Sequence, residues 1–377
     1  MKNGIFSKLC YLYTFSALSN VVLGQNCQLT DSIMNRNWIF LSNNDLLRTD
    51  YIADGGTLTL YCNEHSAAWD LKCTKGTLEQ LPYDAVCSER LSLSVVPQYK
   101  ACSADGANGQ LYDMVYSFAT GFTVTLYTIC YCTSRETVLY SIHKAYGFNL
   151  PTGNYQRPQF KLLGNPNRAR ADSFGSDEIY KTFQTLLGDG QTYVKSNRDY
   201  AVQRGHMANS QDFLTYDQMD ATFLYMNVVP MFRGCNLRNW KRIENWIHRL
   251  PDKHTYATVV TGTHDVLYLQ HSQTHRFVPM YLMPDEKNPM PMWMYKVVRY
   301  QGECYVFATL NDVSSLPAIQ YSNICRITAC PAGLTLDEEP GSCVSYCCGY
   351  RHFVQQVGDF AKMCSVSSRP STFIAFL

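Results

Sequence analysis

Cysteine placement is the feature of this sequence that most constrains its fold. Cysteines are dense between residues 27 and 132, absent from residues 133 to 234, and dense again between residues 304 and 364. In a secreted chain, cysteines at such density indicate disulfide frameworks, although spacing alone does not say which cysteines pair. The pattern predicts cysteine-rich flanks on either side of a middle segment, and we expect the chemistry to lie in that middle segment.

The N-terminal residues predict an oxidising compartment. Lys2 and Lys8 precede or flank a largely apolar stretch, residues 9–23, which ends before Gly24. This is typical of a secretory signal peptide, and the stretch is shorter than the roughly 20 apolar residues of a membrane span. We therefore expect cleavage near Gly24, secretion and no membrane association. Removing Cys10 from the 16 cysteines leaves 15, so one is free, pairs between chains, or indicates a different cleavage site.

Composition excludes two classes of protein. Hydrophobic residues make up 46% of the chain and charged residues 17%, which is far from the composition of disordered proteins. Lys and Arg number 32 against 31 Asp and Glu, a formal net charge of +1 at pH 7. This balance excludes a polybasic protein whose whole surface attracts nucleic acid, so any anion-binding site must be local.

The N-terminal apolar run, cysteine density and hydrophobic periodicity together divide the chain into four segments. They are a signal peptide (1–24), an N-terminal cysteine-rich β module (25–137), a core (138–310) and a C-terminal cysteine-rich extension packed on that core (311–377). Short β runs occur at 56–61 and 121–131 in the module. In the core, the patterns predict strands at 138–143, 256–263, 266–269, 277–283, 292–298 and 305–310, and helices at 177–187 and 236–249. The expected fold class is mixed α/β.

Three spaced blocks in the middle segment carry recognisable chemistry. They are Arg204-Gly205-His206, Asn227-x-x-Pro230 and Asn236-x-x-x-Trp240-x-x-x-Glu244. A histidine with an ordinary pKa of about 6.5 can act as a general base near neutral pH, and an adjacent arginine suits a phosphate. The i, i+4, i+8 spacing predicts Asn236 and Glu244 on one side of one helix, with Trp240 packing into the core. An amide oxygen and a carboxylate on one side can hold hydrated Mg²⁺.

In order and interval, these blocks resemble the signature of the DNA/RNA non-specific endonucleases, the His-Me finger or ββα-metal family. The resemblance covers about residues 140 to 300. The signal peptide and cysteine-rich flanks further resemble the secreted nucleases of arthropod saliva or digestive tissue. The resemblance implies an α/β (α+β) fold with a mixed, mainly antiparallel sheet and a ββα-metal finger, flanked by disulfide-rich β extensions.

The resemblance also implies a role for each residue of the blocks. His206 corresponds to the general base, and Asn236 to the single direct protein ligand of the catalytic Mg²⁺, for which Mn²⁺ can substitute. Glu244 would hold metal-bound water. Asn227 resembles the family's second asparagine near the metal and the base, and Arg204 the arginine of its Arg-Gly-His block.

Arginines outside the blocks are candidates for substrate binding. Arg157 resembles the family's further phosphate-contacting arginine, with Arg168 or Arg170 as alternatives. On and before the predicted helix lies a basic cluster that is expected to contact the phosphate backbone, with a solvated helix face as the alternative interpretation. Its members are Arg233, Arg238, Lys241, Arg242 and Arg249.

Three further residues bear on the site. The family often has Asp at the position of Gln203 and Gln at that of Met231, and we expect these departures to tune activity without abolishing it. Cys235 precedes Asn236, and we expect a disulfide there that anchors the metal-binding helix, with a redox switch as the alternative.

The implied function is that of a secreted, Mg²⁺-dependent endonuclease. It would hydrolyse phosphodiester bonds of DNA, with RNA as a second substrate, without sequence preference, and leave 5′-phosphate products. No obligate protein partner is expected. Chelation should abolish activity, and the rate should fall as the pH drops through the histidine pKa. The alternative is a catalytically impaired nuclease-like protein that binds nucleic acid. A structural extracellular module would leave the three blocks unexplained.

Overall fold

The computed structural model describes most of the predicted core and parts of both flanks. It covers residues 25–30, 33, 38–43, 45–62, 69–82, 85, 87, 93–118, 121–149, 155–313, 324–339 and 343–358. The predicted signal peptide, including Cys10, and Cys364 lie outside these ranges. Within them, no helix has the length and apolar character needed to cross a membrane.

Short strands form the first part of the chain. They are β1 (Cys27–Gln28), β2 (Ile39–Ser42), β3 (Asp45–Leu46), β4 (Tyr51–Ile52), β5 (Thr57–Tyr61), β6 (Trp69–Thr74) and β7 (Thr77–Leu78). They pair antiparallel in the orders β3-β2-β5-β6-β7 and β1-β4. Leu58 and Leu60 are buried at alternate positions of β5, as the period of a strand requires, which confirms the strand predicted at 56–61. Disulfides Cys27–Cys73 and Cys62–Cys87 lie in this part.

The middle of the chain supplies long strands and then the helical segments. They are β8 (Leu93–Ala104), β9 (Ala107–Ser117), β10 (Thr123–Cys132), β11 (Thr137–Tyr146), α1 (Arg168–Asp172), α2 (Ser176–Leu187), β12 (Val202–His206), α3 (Tyr216–Asp220), β13 (Val228–Phe232), α4 (Arg233–Leu237) and α5 (Asn239–Arg249), with 3₁₀ turns at Ser210–Asp212 and Tyr225–Asn227. The predictions of a strand at 138–143 and a helix at 177–187 are confirmed.

The remaining elements return to strands and end with a helix. They are β14 (Tyr256–Val266), β15 (Tyr268–Gln270), β16 (Phe277–Pro279), β17 (Tyr281–Met283), β18 (Lys287–Pro289), β19 (Pro291–Tyr300), β20 (Glu303–Leu310), β21 (Ser345–Cys348) and α6 (Tyr350–Val357). The predicted strands of this region are confirmed, although the run at 277–283 divides into β16 and β17.

A continuous antiparallel sheet organises the described residues. Its strand order is β21-β20-β19-β14-β11-β10-β9-β8, with helices packed against it, so the predicted mixed, mainly antiparallel α/β class is confirmed. The sheet crosses the predicted boundary at residue 137, because β8 to β10 precede that residue, and it also takes β21 from the predicted extension. The cysteine-rich flanks therefore supply edge strands of the core sheet.

The two faces of this sheet are covered by different helices. On one face, Ile243 and Ile247 of α5 pack against Val259 and Val298. On the other face, Phe353 of α6 contacts Tyr295, with ring centroids 5.0 Å apart. The site lies on the face that α5 covers.

A ββα unit packs on that face. β12 and β13 pair antiparallel, with His206 opposite Val228 and Gln203 opposite Met231, and α4 and α5 follow directly. This order confirms the predicted ββα finger. Met231 is fully buried.

The predicted continuous helix at 236–249 is wrong. The chain breaks between α4 and α5 at Arg238, whose φ of −113° and ψ of −102° lie outside the helical region. The C-terminal segment docks at this break, because the buried side chain of Asn239 donates to the carbonyls of Asp337 and Cys343 and accepts from the Asp337 N–H. Asn236 and Glu244 therefore lie on different helices, and the predicted i, i+8 relation between them does not exist.

Disulfides tie the flanks to the core. The expected disulfide at Cys235 is present, and its partner is Cys343. The others are Cys102–Cys130, Cys325–Cys348 and Cys330–Cys347, and Cys304 is also disulfide-bonded. Among the described cysteines, buried Cys132 is free, which fits the expected odd cysteine.

Candidate active site

A cleft of about 710 Å³ brings together residues from separate parts of the sequence. Its lining includes Gln203 and Arg204 of β12, Asn236 of α4, and the exposed arginines Arg157 and Arg233. Aromatic side chains form much of the remaining wall, namely Phe160, Phe174, Tyr200 and Phe223. The cleft thus combines positive charge, an amide oxygen and apolar surface, which suits a ligand with phosphates and planar rings.

His206 lies at the end of β12, behind the aromatic wall. It is 9% exposed, and its ring centroid lies 4.9 Å from that of Phe223 and 5.3 Å from that of Phe160. No described residue forms a hydrogen bond with its buried Nε2. Burial, and then the positive charges of Arg157 and Lys296, lower the pKa of His206 to about 3. The imidazole is therefore neutral at neutral pH and has a lone pair free for a proton, although its lowered pKa makes it a weaker base than an ordinary histidine.

This pKa changes one expectation from the sequence. An ordinary histidine would lose its activity as a base near pH 6.5, whereas His206 stays neutral down to about pH 3 in the structure as described. We therefore expect protonation of His206 to lower the reaction rate only at a pH well below the value of about 6.5 that the sequence predicts.

Two arginines border the base. Nη2 of Arg204 donates to the Tyr225 hydroxyl at 3.3 Å, and the guanidinium carbon lies 5.3 Å from the Phe160 ring centroid. Arg157 is exposed, lies 5.2 Å from the Phe223 ring centroid, and is close enough to His206 to lower its pKa. Both guanidinium groups are thus positioned against aromatic faces of the cleft wall.

Asn227 is fully buried and connects the two blocks. Its Oδ1 accepts a hydrogen bond from Ala208 N at 2.8 Å, and its Nδ2 donates to the carbonyls of Ala208 and Thr222, both at 3.0 Å. These bonds hold the backbone that follows His206. The side chain is thus placed to position the base rather than to contact a ligand in the cleft.

The orientation of Asn236 fits a cation ligand. Its Nδ2 donates to Oε1 of Gln203 at 3.0 Å, which leaves Oδ1 as the atom that can bind a hard ion such as Mg²⁺. Gln203, the residue that departs from the family pattern, thus fixes the amide. The free amide oxygen of Asn236 is thus a donor that fits a hydrated divalent cation, while the unpartnered nitrogen of His206 stays available as a base.

Glu244 lies on α5 with its side chain 15% exposed. Burial raises the pKa of its carboxyl to about 7, although the nearby ammonium of Lys296 opposes this shift. Its Oε1 lies 3.8 Å from Lys296 Nζ. Of the predicted site residues, Arg157, Arg204 and Asn236 belong to the cleft lining, whereas His206, Asn227 and Glu244 do not.

The alternatives to Arg157 lie elsewhere. Arg170 is fully buried and donates to the carbonyls of Glu136, Tyr225 and Val228, so it anchors backbone. Arg168 forms an exposed ion pair with Asp172 at 2.9 Å. Of the three arginines considered, Arg157 is the one that lines the cleft.

The helix arginines also lie outside the cleft lining. Arg238 Nη1 lies 3.5 Å from a carboxylate oxygen of Glu339, and Arg242 Nη2 lies 2.8 Å from one of Asp337. Both carboxylates belong to the C-terminal segment. The two arginines remain candidates for substrate binding, but each already has a negative partner.

Sequence reasoning missed three buried polar residues beneath the site. Lys296 of β19 contacts Glu244, and His143 of β11 contacts Asp212 with a 2.7 Å distance between Nε2 and Oδ2. A signal for Lys296 was available, because it is the one charged residue in the otherwise apolar run at 293–298 of β19, all of which is buried.

A separate group of side chains could also hold a cation. Asp105, His264 and Asp265 each offer a ligand atom within 4.8 Å of the others. This group contains none of the residues predicted from the three blocks.

Comparison with known proteins identifies the family to which this chain belongs. The sequence profile of the DNA/RNA non-specific endonuclease family matches residues 108–329, more than half of the chain. A "Salivary endonuclease" of Lutzomyia longipalpis is 26% identical over 233 residues, which is 60% of this chain and 54% of that relative. The chain thus spans about half the length of that relative.

Two further matches were found. "Salivary protein Tsal2A" of Glossina morsitans morsitans is 23% identical over 325 residues, or 81% of this chain and 76% of that protein. A chain from the crystal structure of the EndoG/EndoGI complex matches 54% of this chain and 76% of its own length, at 18% identity and a TM-score of 0.31. On the extent of the profile match, the chain belongs to the DNA/RNA non-specific endonuclease family.

Proposed function

We propose that this protein is a secreted endonuclease that hydrolyses phosphodiester bonds of DNA, with RNA as a second substrate, without sequence preference. The observation that carries the proposal is the buried, neutral His206 with its unpartnered nitrogen, beside a cleft that contains Asn236, Arg157 and Arg204. Family membership, the salivary relatives and the disulfides support the activity and the extracellular location.

The chain's own residues account for most of the reaction. His206 accepts a proton from water, and the resulting hydroxide attacks phosphorus in line with the leaving 3′ oxygen, so that products carry 5′ phosphates. Arg157 and Arg204 bind the phosphate through their planar donors. Asn227 holds the base in place, and Glu244 orients water by accepting its hydrogen bonds. A Mg²⁺ ion held by Asn236, or Mn²⁺ in its place, would stabilise the negative charge that develops at phosphorus and on the leaving oxygen.

Features of the cleft support the proposed lack of sequence preference. Its arginines can neutralise the phosphate backbone, which is the same for every sequence. The exposed ring of Tyr200 can contact the planar face of any base. These groups provide affinity without distinguishing one base from another.

The test is degradation of plasmid DNA and of RNA by the purified protein, with Mg²⁺ and with EDTA. We expect cleavage that needs the cation and that falls by on the order of 1,000-fold in His206→Ala. His275→Ala is the matched control, because His275 is an exposed histidine outside the cleft lining. Full activity in EDTA, or in His206→Ala, would contradict the proposed chemistry.

A binding protein without turnover is the second candidate. It is favoured by Gln203, which replaces the family's usual aspartate directly beside Asn236. The same assay separates the two functions: nucleic acid retarded on a gel but left intact under all conditions would favour binding. Gln203→Asp should then restore cleavage if this residue is the cause.

A further inference from the structure

Lys296 presents a buried charge directly behind the proposed site. It is 0% exposed, and its ammonium meets groups from two other elements. Nζ donates to Oγ1 of Thr261 on β14 at 2.9 Å, lies 3.8 Å from Oε1 of Glu244 on α5, and lies 4.7 Å from the Trp240 ring centroid on the same helix. One side chain therefore links β19, β14 and α5.

Secondary structure fixes this arrangement. Thr261 is directly opposite Lys296 in the sheet register, so the hydroxyl and the ammonium meet without any adjustable loop. Trp240 and Glu244 are four residues apart on α5 and therefore face the same side of the helix. The sheet thus sets the position of the Lys296 ammonium, and the ammonium in turn attracts the Glu244 carboxylate.

Stability does not account for a charge at this position. Burying an ammonium carries a large desolvation cost, and replacing a buried ion pair with apolar residues is often neutral or stabilising. The flanking inward positions of β19 are Met294 and Val298, both buried, so an apolar side chain would suit this face of the strand. Because burying the Lys296 ammonium is unfavourable and the ammonium contacts Glu244, its presence indicates a role in the site rather than in stability.

A second buried carboxylate contributes to the same charge cluster. Asp212 is held by His143 at 2.7 Å and by Nδ2 of Asn209 at 3.1 Å, and its negative charge acts on both Lys296 and Glu244. Asp212 is therefore already partnered, whereas Glu244 meets the ammonium on one side and remains partly accessible on the other.

We propose that Lys296 is a positioning residue, which holds the Glu244 carboxylate in the orientation that receives the hydrated cation of the site. The inference rests on the proposed function for the identity of the site, but it concerns how the site is held. Thr261 acts in the same chain of contacts by fixing the ammonium.

The test is a double-mutant cycle with Lys296→Met, Glu244→Gln and the combined variant, measured in kcat and KM on DNA and by calorimetric titration with Mn²⁺. We expect Lys296→Met to weaken Mn²⁺ binding or kcat by about 10- to 100-fold, as for other residues that orient metal ligands. KM for DNA should change little, because the arginines of the cleft are untouched. In the Glu244→Gln background, Lys296→Met should have almost no further effect on Mn²⁺ binding. Mn²⁺ affinity decides the cycle, because kcat also responds to the charge that Lys296 exerts on His206.

Matched variants separate positioning from folding. Lys144→Met removes a half-buried lysine from β11, outside the Lys296 contacts, and should leave Mn²⁺ binding and kcat unchanged. If Lys296→Met does not fold, Thr261→Val replaces it in the test and should also weaken Mn²⁺ binding. Its control is Thr309→Val, at a buried threonine of β20, which should leave Mn²⁺ binding unchanged.

Two results would overturn the inference. One is a full, independent loss of Mn²⁺ affinity from Lys296→Met in the Glu244→Gln background. The other is wild-type kcat and Mn²⁺ affinity in Lys296→Met. The Mn²⁺ titration also distinguishes this failure from failure of the proposed function. A protein that cleaves nothing but binds Mn²⁺ in a Lys296-dependent way would retain the inference and reject the enzyme.

Discussion

The cleft and the surface of α5 carry arginines of the same chemical kind in different surroundings. Arg157, Arg204 and Arg233 line a cavity whose wall is aromatic. Arg238 and Arg242 face carboxylates of Glu339 and Asp337. Arg157 has no ion pair among the described residues, and Arg204 donates to the neutral Tyr225 hydroxyl and Phe174 carbonyl. Arg238 and Arg242, in contrast, must give up a carboxylate before they bind a phosphate. A cluster of arginines in a sequence is therefore a weak sign of an anion-binding site. A better sign is an arginine that has no acidic side chain near it in the folded protein.

The largest expected contrast is in catalysis. Because they border His206, Arg157→Ala and Arg204→Ala should each lower kcat/KM on DNA by on the order of 100-fold, as expected for lost charge-assisted bonds to phosphate. Arg238→Ala and Arg242→Ala should lower it by no more than about threefold. Steady-state kinetics on one DNA substrate would give kcat/KM for all four variants. Equal losses in the cleft arginines and the helix arginines would contradict the proposed difference between them.

Acid should destabilise the fold through the cleft histidine. Its pKa is about 3 in the folded protein and near 6.5 when unfolded, so the unfolded state takes up the proton first as the pH falls. The free energy of unfolding should therefore decrease below about pH 6.5, by about 2 kcal/mol at pH 5 from this residue. Urea unfolding of the wild type and of His206→Gln at pH 6.5 and at pH 5 measures this change in the free energy of unfolding. The variant has no histidine at this position and should not show it. An identical pH dependence in the two proteins would show that His206 is not buried in its neutral form.

The helix arginines should matter modestly for stability. Arg242→Ala removes a partly exposed ion pair with Asp337, and such pairs contribute about 1 kcal/mol or less. Thermal unfolding at low and high salt would measure this effect, which should shrink as salt screens the pair. The matched control is Arg157→Ala, because Arg157 forms no ion pair among the described residues. A loss several times larger for Arg242 would assign it a structural role that its exposure does not suggest.

The smallest expected effect is on the base itself. The positive charge of Arg157 lowers the pKa of His206, so Arg157→Gln should raise that pKa. Arg242→Gln should not, because Arg242 does not act on His206. NMR titration of the histidine ring protons would resolve the difference. An unchanged His206 pKa in Arg157→Gln would place Arg157 farther from the base than the structure does.

Local patterns predicted much of the fold but not its long-range contacts. The strands of the core and helix α2 follow from periodicity, and the order of β12, β13 and α4 follows from the three blocks. The break at Arg238 depends on the C-terminal segment bonding to Asn239, and a contact between distant residues leaves no trace in local periodicity. The predicted boundary at 137 relied on cysteine density, which marks disulfides and not the strand order of a sheet.

The candidate site shows the same division. His206, Asn236 and Glu244 could be named because their spacing is characteristic, and Arg157 because it belongs to a short similar segment. Lys296 could not be connected to Glu244 before the sheet register was known, because the two residues lie on elements separated by β14 to β18. The same holds for Gln203, whose hydrogen bond to Asn236 appears only once β12 and α4 are in contact.

The disulfide between Cys235 and Cys343 sets an order of events in biosynthesis. A ribosome makes the chain from the N-terminus, so residues 204–244 emerge well before Cys343 does. Until then, the helix pair that carries Asn236 has neither its covalent anchor nor the Asn239 contacts to the C-terminal segment. The bond then forms only in an oxidising compartment. The helix pair that carries Asn236 is therefore anchored late, after translation of the last cysteine-rich segment.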